Sequence, residues 1–119
     1  MASIFSRLFG GKPNPEPGWI TPSGLAPFLT AEQPPLVIDV RGPGEFTGPL
    51  GHIAGAMNIP LDQVAAETEN LRNHNRPIVL VCHTDRRSAA AAAHLRTAGF
   101  DDVTVVRGGM VAWRESGLP

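Results

Sequence analysis

One segment of the chain combines a nucleophile with several charged side chains. Cys82 directly follows a short apolar run, Ile78–Val81, that comes after Pro77. Polar residues follow the cysteine: His83, Thr84, Asp85, Arg86, Arg87 and Ser88. The stretch from Arg86 to Ala98 is rich in alanine, which has the highest helix propensity of all residues. The polar residues are therefore expected to join a buried strand to a stable helix.

Such a junction is suited to binding an anion. Ligands of open α/β sheets bind beyond the carboxyl ends of the strands. A helix N-terminus adds free N–H groups and a partial positive charge, which a surrounding loop can shape into an anion cradle. The same field, with Arg86 and Arg87, should hold Cys82 as a thiolate, suited to attack on a sulfur or phosphorus oxoacid. The alternative is a small apolar cysteine that ends a strand, but a buried strand end rarely needs so many charged neighbours.

Three β-branched runs predict the strands that position this loop. They barely alternate between apolar and polar residues, which is typical of strands buried on both faces of a parallel sheet. The runs are Leu36–Val40, Ile78–Val81 and Val103–Val106, and residues 56–59 add a fourth, shorter candidate.

Helices are expected between the strands. Thr21 is a good cap for a helix that starts at Pro22, with Ile20 and Leu25 placed to pack across its first turn. Further helices are expected at residues 61–73, 86–98 and 110–115, the second of these three ended by Gly99. In the first of them, the residues that share one face are Leu61, Val64, Thr68 and Leu71. The alternation of strands and helices predicts an open α/β fold with right-handed crossovers.

The N-terminal residues differ in composition from the rest of the chain. Residues 12–18 contain three prolines and a glycine, which cannot continue a helix or a central strand. Residues 1–18 are therefore predicted to be a tail with a Pro-rich linker, and residues 19–119 to be the domain. The tail carries apolar residues at helical spacing and could dock on a membrane or a partner, although a frayed or locally packed terminus is the simpler interpretation. Those apolar residues are Ile4, Phe5, Leu8 and Phe9.

Composition excludes several classes of protein. A length of 119 residues suits one domain, and a net charge of -1 argues against a general nucleic-acid binder. A single cysteine allows no internal disulfide and no thiolate-rich zinc site, so the reducing cytoplasm is the expected compartment. The four histidines show no metal-ligand spacing, and no apolar run reaches the length of a transmembrane helix.

Three groups of residues resemble the signatures of the rhodanese family, in the order in which that family has them. The resemblance covers the chain from about Ile20 to its last residue. The N-terminal group is Asp39-Val40-Arg41, Glu45-Phe46 and residues 51–60; the active-site loop is residues 82–88; the C-terminal group is residues 107–110, Trp113 and residues 117–119. The three groups together, in the same order as in the family, are more specific evidence than any one group alone.

The resemblance implies a rhodanese-like open parallel sheet with helices on both faces, and sulfurtransferase activity. Cys82 would take a sulfane sulfur from a donor such as thiosulfate, forming a persulfide, and a thiol or cyanide would remove it. Residues 83–88 would bind the substrate, and no metal or organic cofactor is implied. The expected partners are a small sulfur donor and its acceptor, which could be a protein, with no nucleic acid or membrane.

The remaining polar residues of these signatures are interpreted as support for the loop. Asp39, Arg41 and Glu45 are expected to form a structural ion-pair network rather than a catalytic acid–base set. His52 fits a hydrogen-bonded turn histidine better than a general base. Two loop positions depart from the commonest pattern: His83 stands where arginine is frequent, and Asp85 where glycine is frequent. Both departures leave the affinity for thiosulfate open from the sequence.

Two other functions remain open from the sequence. Cysteine-based phosphatases and arsenate reductases have similar loops, but these are one residue longer and place arginine six residues after the cysteine. Here that position is Ser88, the arginine is Arg87, and no resolving cysteine is present. The second alternative is a rhodanese-like module for partner docking or sulfur sensing, with little turnover. The presence of Cys82 argues against an inert scaffold. The two departures in the loop, His83 and Asp85, keep the docking or sensing module open as an alternative.

Overall fold

A single parallel sheet forms the centre of the protein. The computed structural model describes residues 18–119. The strands, in chain order, are β1 (Gly18–Ile20), β2 (Leu36–Asp39), β3 (Met57–Asn58), β4 (Ile78–Val81) and β5 (Val103–Val106). They lie side by side in the order β1-β5-β4-β2-β3, and all neighbouring pairs are parallel. β4 is therefore the central strand, and its carboxyl end lies between those of β2 and β5.

The three longer strands are the three apolar runs that the sequence predicts. Every residue of β2, β4 and β5 is buried, because helices cover both faces of the sheet. Side chains alternate between two cores: Ile38 and Leu80 point into one, and Val37 and Val79 into the other. Apolar residues are needed on both faces, which explains the absence of apolar–polar alternation.

The helices lie in two layers. They are α1 (Pro22–Leu29), α2 (Pro43–Phe46), α3 (Thr68–His74), α4 (Arg86–Thr97) and α5 (Gly109–Glu115), with a 3-10 helix at Leu61–Gln63. Leu71 of α3 and Leu95 of α4 fill the first core, and Leu25 of α1 and Met110 of α5 fill the second. The predicted open parallel sheet with helices on both faces is confirmed. Within residues 18–119, no helix combines the length and the apolar character needed to cross a membrane.

Local sequence signals explain several helix ends. Thr21 Oγ accepts a hydrogen bond from the Gly24 amide at 3.1 Å, and Ile20 and Leu25 lie in one core on either side of that cap. Gly99, with φ +102°, follows the end of α4, in a conformation that other residues rarely adopt. The predicted starts of α1 and α4 are confirmed.

The segment between β3 and β4 differs from the prediction. Instead of one helix over residues 61–73, the chain forms the 3-10 helix, a turn, and then α3. The Leu61 amide donates to the carbonyl of Val40 at 3.0 Å, so this segment follows the sheet before it turns away. Val64 and Leu71 still enter the same core, as their spacing predicts.

Two elements were not predicted, and one predicted region cannot be described. β1 is three residues long and gains its hydrogen bonds from β5, a distant partner. α2 is a single turn that starts at Pro43. The predicted tail and linker lie outside the described residues, except for Gly18, which begins β1.

Candidate active site

The loop that follows β4 lies at the centre of the sheet edge. Cys82 is the first residue after β4, and α4 begins at Arg86. The loops that follow β2 and β5 flank it, because these strands are the two neighbours of β4. The structure therefore brings residues from three predicted signatures to one edge of the sheet.

The sulfur of Cys82 is enclosed by the first turn of α4. Cys82 is 1% exposed, and its Sγ lies 3.3 Å from Ser88 Oγ. The Ser88 amide also donates to Sγ, at 3.3 Å. Ser88 Oγ lies 3.2 Å from the carbonyl of Asp85, so its proton can turn from that carbonyl to an ionised sulfur. Hydrogen bonds to a charged acceptor are stronger than those to a neutral one, so both contacts can stabilise negative charge that develops on this sulfur.

The backbone of the loop is oriented by α5. The carbonyls of Cys82 and His83 accept hydrogen bonds from the amides of Met110 (2.8 Å) and Val111 (3.1 Å). The amides of residues 83–87, in contrast, donate to no group within residues 18–119. With its first carbonyls directed to α5, the loop keeps a row of amides free to bind an anion.

Gly109 makes this approach of α5 to the loop feasible. Its φ is +58°, and a Cβ at this position would overlap the carbonyl oxygens of Cys82, His83 and Thr84. The sequence placed this glycine only in the C-terminal signature group, residues 107–110, because its contact with the loop joins segments that are distant along the chain. The adjacent glycines at 108 and 109 were the only signal of a special backbone in the sequence.

Arg87 forms an ion pair with Glu45 of α2. Arg87 Nη1 and Nη2 donate to the two carboxylate oxygens of Glu45 at 2.7 and 2.9 Å. The hydrogen bonds from Arg87 lower the pKa of Glu45 to about 2, and the Gly42 amide, which donates to Glu45 Oε1 at 3.2 Å, acts in the same direction. The pair raises the pKa of Arg87, to which the nearby Cys82 sulfur also contributes. Glu45, expected beside Arg41, thus connects the loop after β2 to α4.

Within residues 18–119, the other loop side chains make no hydrogen bond to the sulfur. His83, Thr84 and Arg86 are exposed. Asp85 is partly buried, and its carboxylate accepts a hydrogen bond from the Gly108 amide at 3.4 Å, beside the start of α5. Its negative charge is therefore directed towards α5.

A buried ion pair holds the loop after β2. Asp39 and Arg41 are 0% and 1% exposed, and Arg41 Nη2 lies 2.7 Å from Asp39 Oδ2. Arg41 also donates to the carbonyls of Glu45 (3.1 Å) and Gly51 (2.7 Å). Asn58 donates to the carbonyls of Asp39 and Arg41, a supporting role that sequence reasoning missed. These contacts satisfy the buried charges and fix the backbone that carries Glu45.

His52 belongs to the same support. Its Nδ1 lies 2.8 Å from the carbonyl of Phe46, and its ring stacks on the Phe46 ring with centroids 3.7 Å apart. It makes no hydrogen bond to residues 82–88. The structure thus places His52 in the irregular segment between α2 and β3, where it makes its contacts with Phe46.

Comparison with known proteins agrees with this architecture. Proteins with similar sequences include YqhL of Bacillus subtilis, 42% identical over 65% of the chain and 59% of YqhL. A sulfurtransferase of Allochromatium vinosum is 30% identical over 84% of the chain and 91% of its own length. The thiosulfate sulfurtransferase GlpE of Pseudomonas putida is 36% identical over 72% of the chain and 76% of its own length. The chain spans less than two thirds of some relatives: 59% of YqhL, and 45% and 25% of two others.

Solved structures share the fold. A rhodanese-related protein of Thermoplasma volcanium superposes with a TM-score of 0.73 and 30% identity, over 86% of this chain and 95% of that protein. The sequence model of the Rhodanese-like domain matches residues 26–116, which include β2, the loop after β4 and all of α5. The chain belongs to the family of rhodanese-like domains.

Proposed function

We propose that the protein is a sulfurtransferase that carries a sulfane sulfur on Cys82, taking it from a donor such as thiosulfate and passing it to cyanide or a thiol. The observation that supports this most directly is the enclosure of the sulfur. A single thiol lies at the start of α4, contacted by the hydroxyl and amide of Ser88 and followed by five free amides. Relatives named as sulfurtransferases support the same activity at the level of the family.

The first step loads the cysteine. The Cys82 thiolate attacks the outer sulfur of thiosulfate, a new S–S bond forms, and sulfite leaves with the electrons of the broken S–S bond. The product is a persulfide whose terminal sulfur is anionic. The free amides of residues 83–87 can stabilise this sulfur as hydrogen-bond donors that are already in position.

The second step regenerates the thiolate. The carbon of cyanide, or the sulfur of an acceptor thiolate, attacks the terminal sulfur, and the bond to Cys82 breaks with its electrons returning to Cys82. Both steps transfer one sulfur atom and need no external oxidant or reductant. Because Cys82 must stay reduced between turnovers, we place this activity in a reducing compartment such as the cytoplasm.

Steady-state kinetics with thiosulfate and cyanide test the proposal. Since sulfite leaves before cyanide reacts, double-reciprocal plots at several cyanide concentrations should give parallel lines. Cys82→Ser should produce no thiocyanate. Intersecting lines, or turnover by Cys82→Ser, would contradict transfer through a Cys82 persulfide.

A further inference from the structure

The structure indicates which class of donor suits Cys82. We propose that its preferred donor is a persulfidated thiol rather than a dianionic oxoacid such as thiosulfate. The reason is that Arg87, the arginine that would bind the oxoacid, already forms an ion pair with Glu45. This inference rests on the proposed function and narrows it.

The two reacting parts of a donor need different partners. The sulfur that is transferred reaches the buried Sγ of Cys82, where Ser88 and the free loop amides can hold it. The leaving group of the donor lies further from the Cys82 sulfur, towards the solvent. For thiosulfate it carries the charge of a sulfonate, which is recognised best by a bidentate arginine.

Arg87 interacts electrostatically with the Cys82 sulfur, which makes it the arginine suited to that role, but both of its terminal nitrogens already donate to Glu45. Nη1 and Nη2 each donate to one oxygen of Glu45, which is the geometry that they would offer to a sulfonate. A sulfonate must therefore displace Glu45 or bind beside its negative charge.

The remaining charges around the loop do not compensate for this loss. The loop and its ion-pair partner contain two cations, Arg86 and Arg87, and two carboxylates, Asp85 and Glu45. Arg86 is exposed, so water and salt screen its charge. Arg87 and Glu45 cancel each other's charge, and the Asp85 carboxylate accepts a hydrogen bond from the Gly108 amide beside α5. The loop amides are therefore left as the principal attraction for an anion.

A persulfidated thiol avoids this difficulty. The Cys82 thiolate attacks the terminal sulfur of R–S–SH, the S–S bond of the donor breaks, and R–S⁻ leaves with the electrons of that bond. The proton stays on the transferred sulfur, so the product is Cys82–S–SH, and charge and electrons balance. The leaving thiolate carries one charge and requires no arginine fork.

A variant that removes the charge of Glu45, and so frees Arg87 from its ion pair, tests the proposed donor preference. Glu45→Gln keeps an acceptor for the Gly42 amide but removes the charge, and should lower the KM for thiosulfate about fivefold, the scale of one exposed ion pair. The KM for cysteine persulfide should change less than about twofold, because its reacting sulfurs do not need Arg87. The matched control is Glu69→Gln, which breaks the exposed pair with Arg72 on α3 and should change neither KM.

The double variant Glu45→Gln/Arg87→Ala checks the cause. If the freed arginine binds the sulfonate, the gain with thiosulfate should disappear in this variant. An unchanged or higher KM for thiosulfate in folded Glu45→Gln would overturn the donor preference, because Glu45 would then assist the oxoacid or be irrelevant to it. A persulfide of Cys82 would still form in that case, whereas its absence with either donor would overturn the proposed function itself.

Discussion

Cys82 and Ser88 form the smallest unit of the site that has chemical consequences. Cys82 is 1% exposed, and a hydroxyl and an amide of the same residue, Ser88, contact its sulfur. The same donors remain in place when the sulfur becomes a leaving group in the second half-reaction. Ser88 therefore acts on the charge of Cys82 in both half-reactions.

Removal of the Ser88 hydroxyl should slow the chemistry without weakening donor binding. We expect Ser88→Ala to reduce the rate of persulfide formation about tenfold, since a hydrogen bond to a charged group contributes about 1.5–3 kcal/mol. Single-turnover measurements at saturating donor would show this. Ser116→Ala, which removes a hydroxyl bonded to the Ala112 carbonyl on the surface of α5, is the control. An unchanged rate in Ser88→Ala would mean that the amide alone stabilises the sulfur.

A second carboxyl, far from the site, gives a test of folding energetics. Burial, and secondarily the charge of Asp101, raise the pKa of Asp102 from 3.8 to about 6. The ionised form therefore destabilises the folded state. The penalty is absent below the unfolded pKa, grows between about pH 4 and pH 6, and is complete above the folded pKa.

Asp102→Asn should remove this penalty. Discounted for partial exposure, the gain above pH 6 is on the order of 1 kcal/mol, or about 5 °C in Tm. Thermal melts from pH 4 to 8 should show a difference from the wild type that vanishes near pH 4. The exposed Asp62→Asn is the control. A constant difference across this range would show that ionisation of Asp102 is not its cause.

At the scale of elements, the contact between α5 and the loop determines the orientation of the loop. Two amides of α5 bind the first two loop carbonyls, and the Gly108 amide before it binds Asp85. The loop in turn covers the free end of α5, whose first amides would otherwise lack partners. Displacement of α5 should therefore disturb the anion cradle.

Gly109→Ala measures how tightly the two elements fit. We expect a loss of about 2–4 kcal/mol in stability and a large drop in sulfur transfer, from the left-handed backbone and the overlap with loop carbonyls. Gly117→Ala has a similar φ, +76°, but no atom within 4 Å of its Cβ, so it should cost about 1 kcal/mol and leave transfer intact. Denaturant unfolding and activity of both variants provide the comparison. Equal losses of activity would show that the contact with the loop is unimportant.

At the scale of the whole molecule, the features that could be predicted are those determined by residues that are contiguous in the sequence. The apolar runs gave β2, β4 and β5, and the alanine-rich stretch gave α4, because burial and helix propensity act locally. The position of Cys82 at a strand-to-helix junction followed from them. β1 was missed because its pairing with β5 depends on residues more than 80 positions away.

The arrangement of charges in the site could not be predicted in the same way. Arg87 and Glu45 are 42 residues apart, and Asp85 and Gly108 are 23 apart. These contacts depend on β2, β4 and β5 being neighbours in the sheet, an order that local patterns do not contain. The sequence therefore predicted residues 82–88 as the site and gave Arg87 to the thiolate and the substrate, but it did not predict the pairing of Arg87 with Glu45.

The central claim is that Cys82 itself carries the transferred sulfur, and the mass of the intact chain tests it most directly. With no second thiol in the chain, a persulfide should persist after excess thiosulfate or cysteine persulfide is removed. We predict a gain of one sulfur atom that cyanide reverses and that Cys82→Ser does not show. No gain in mass with either donor, in protein whose Cys82 still reacts with an alkylating reagent, would contradict the claim and favour a binding or sensing role.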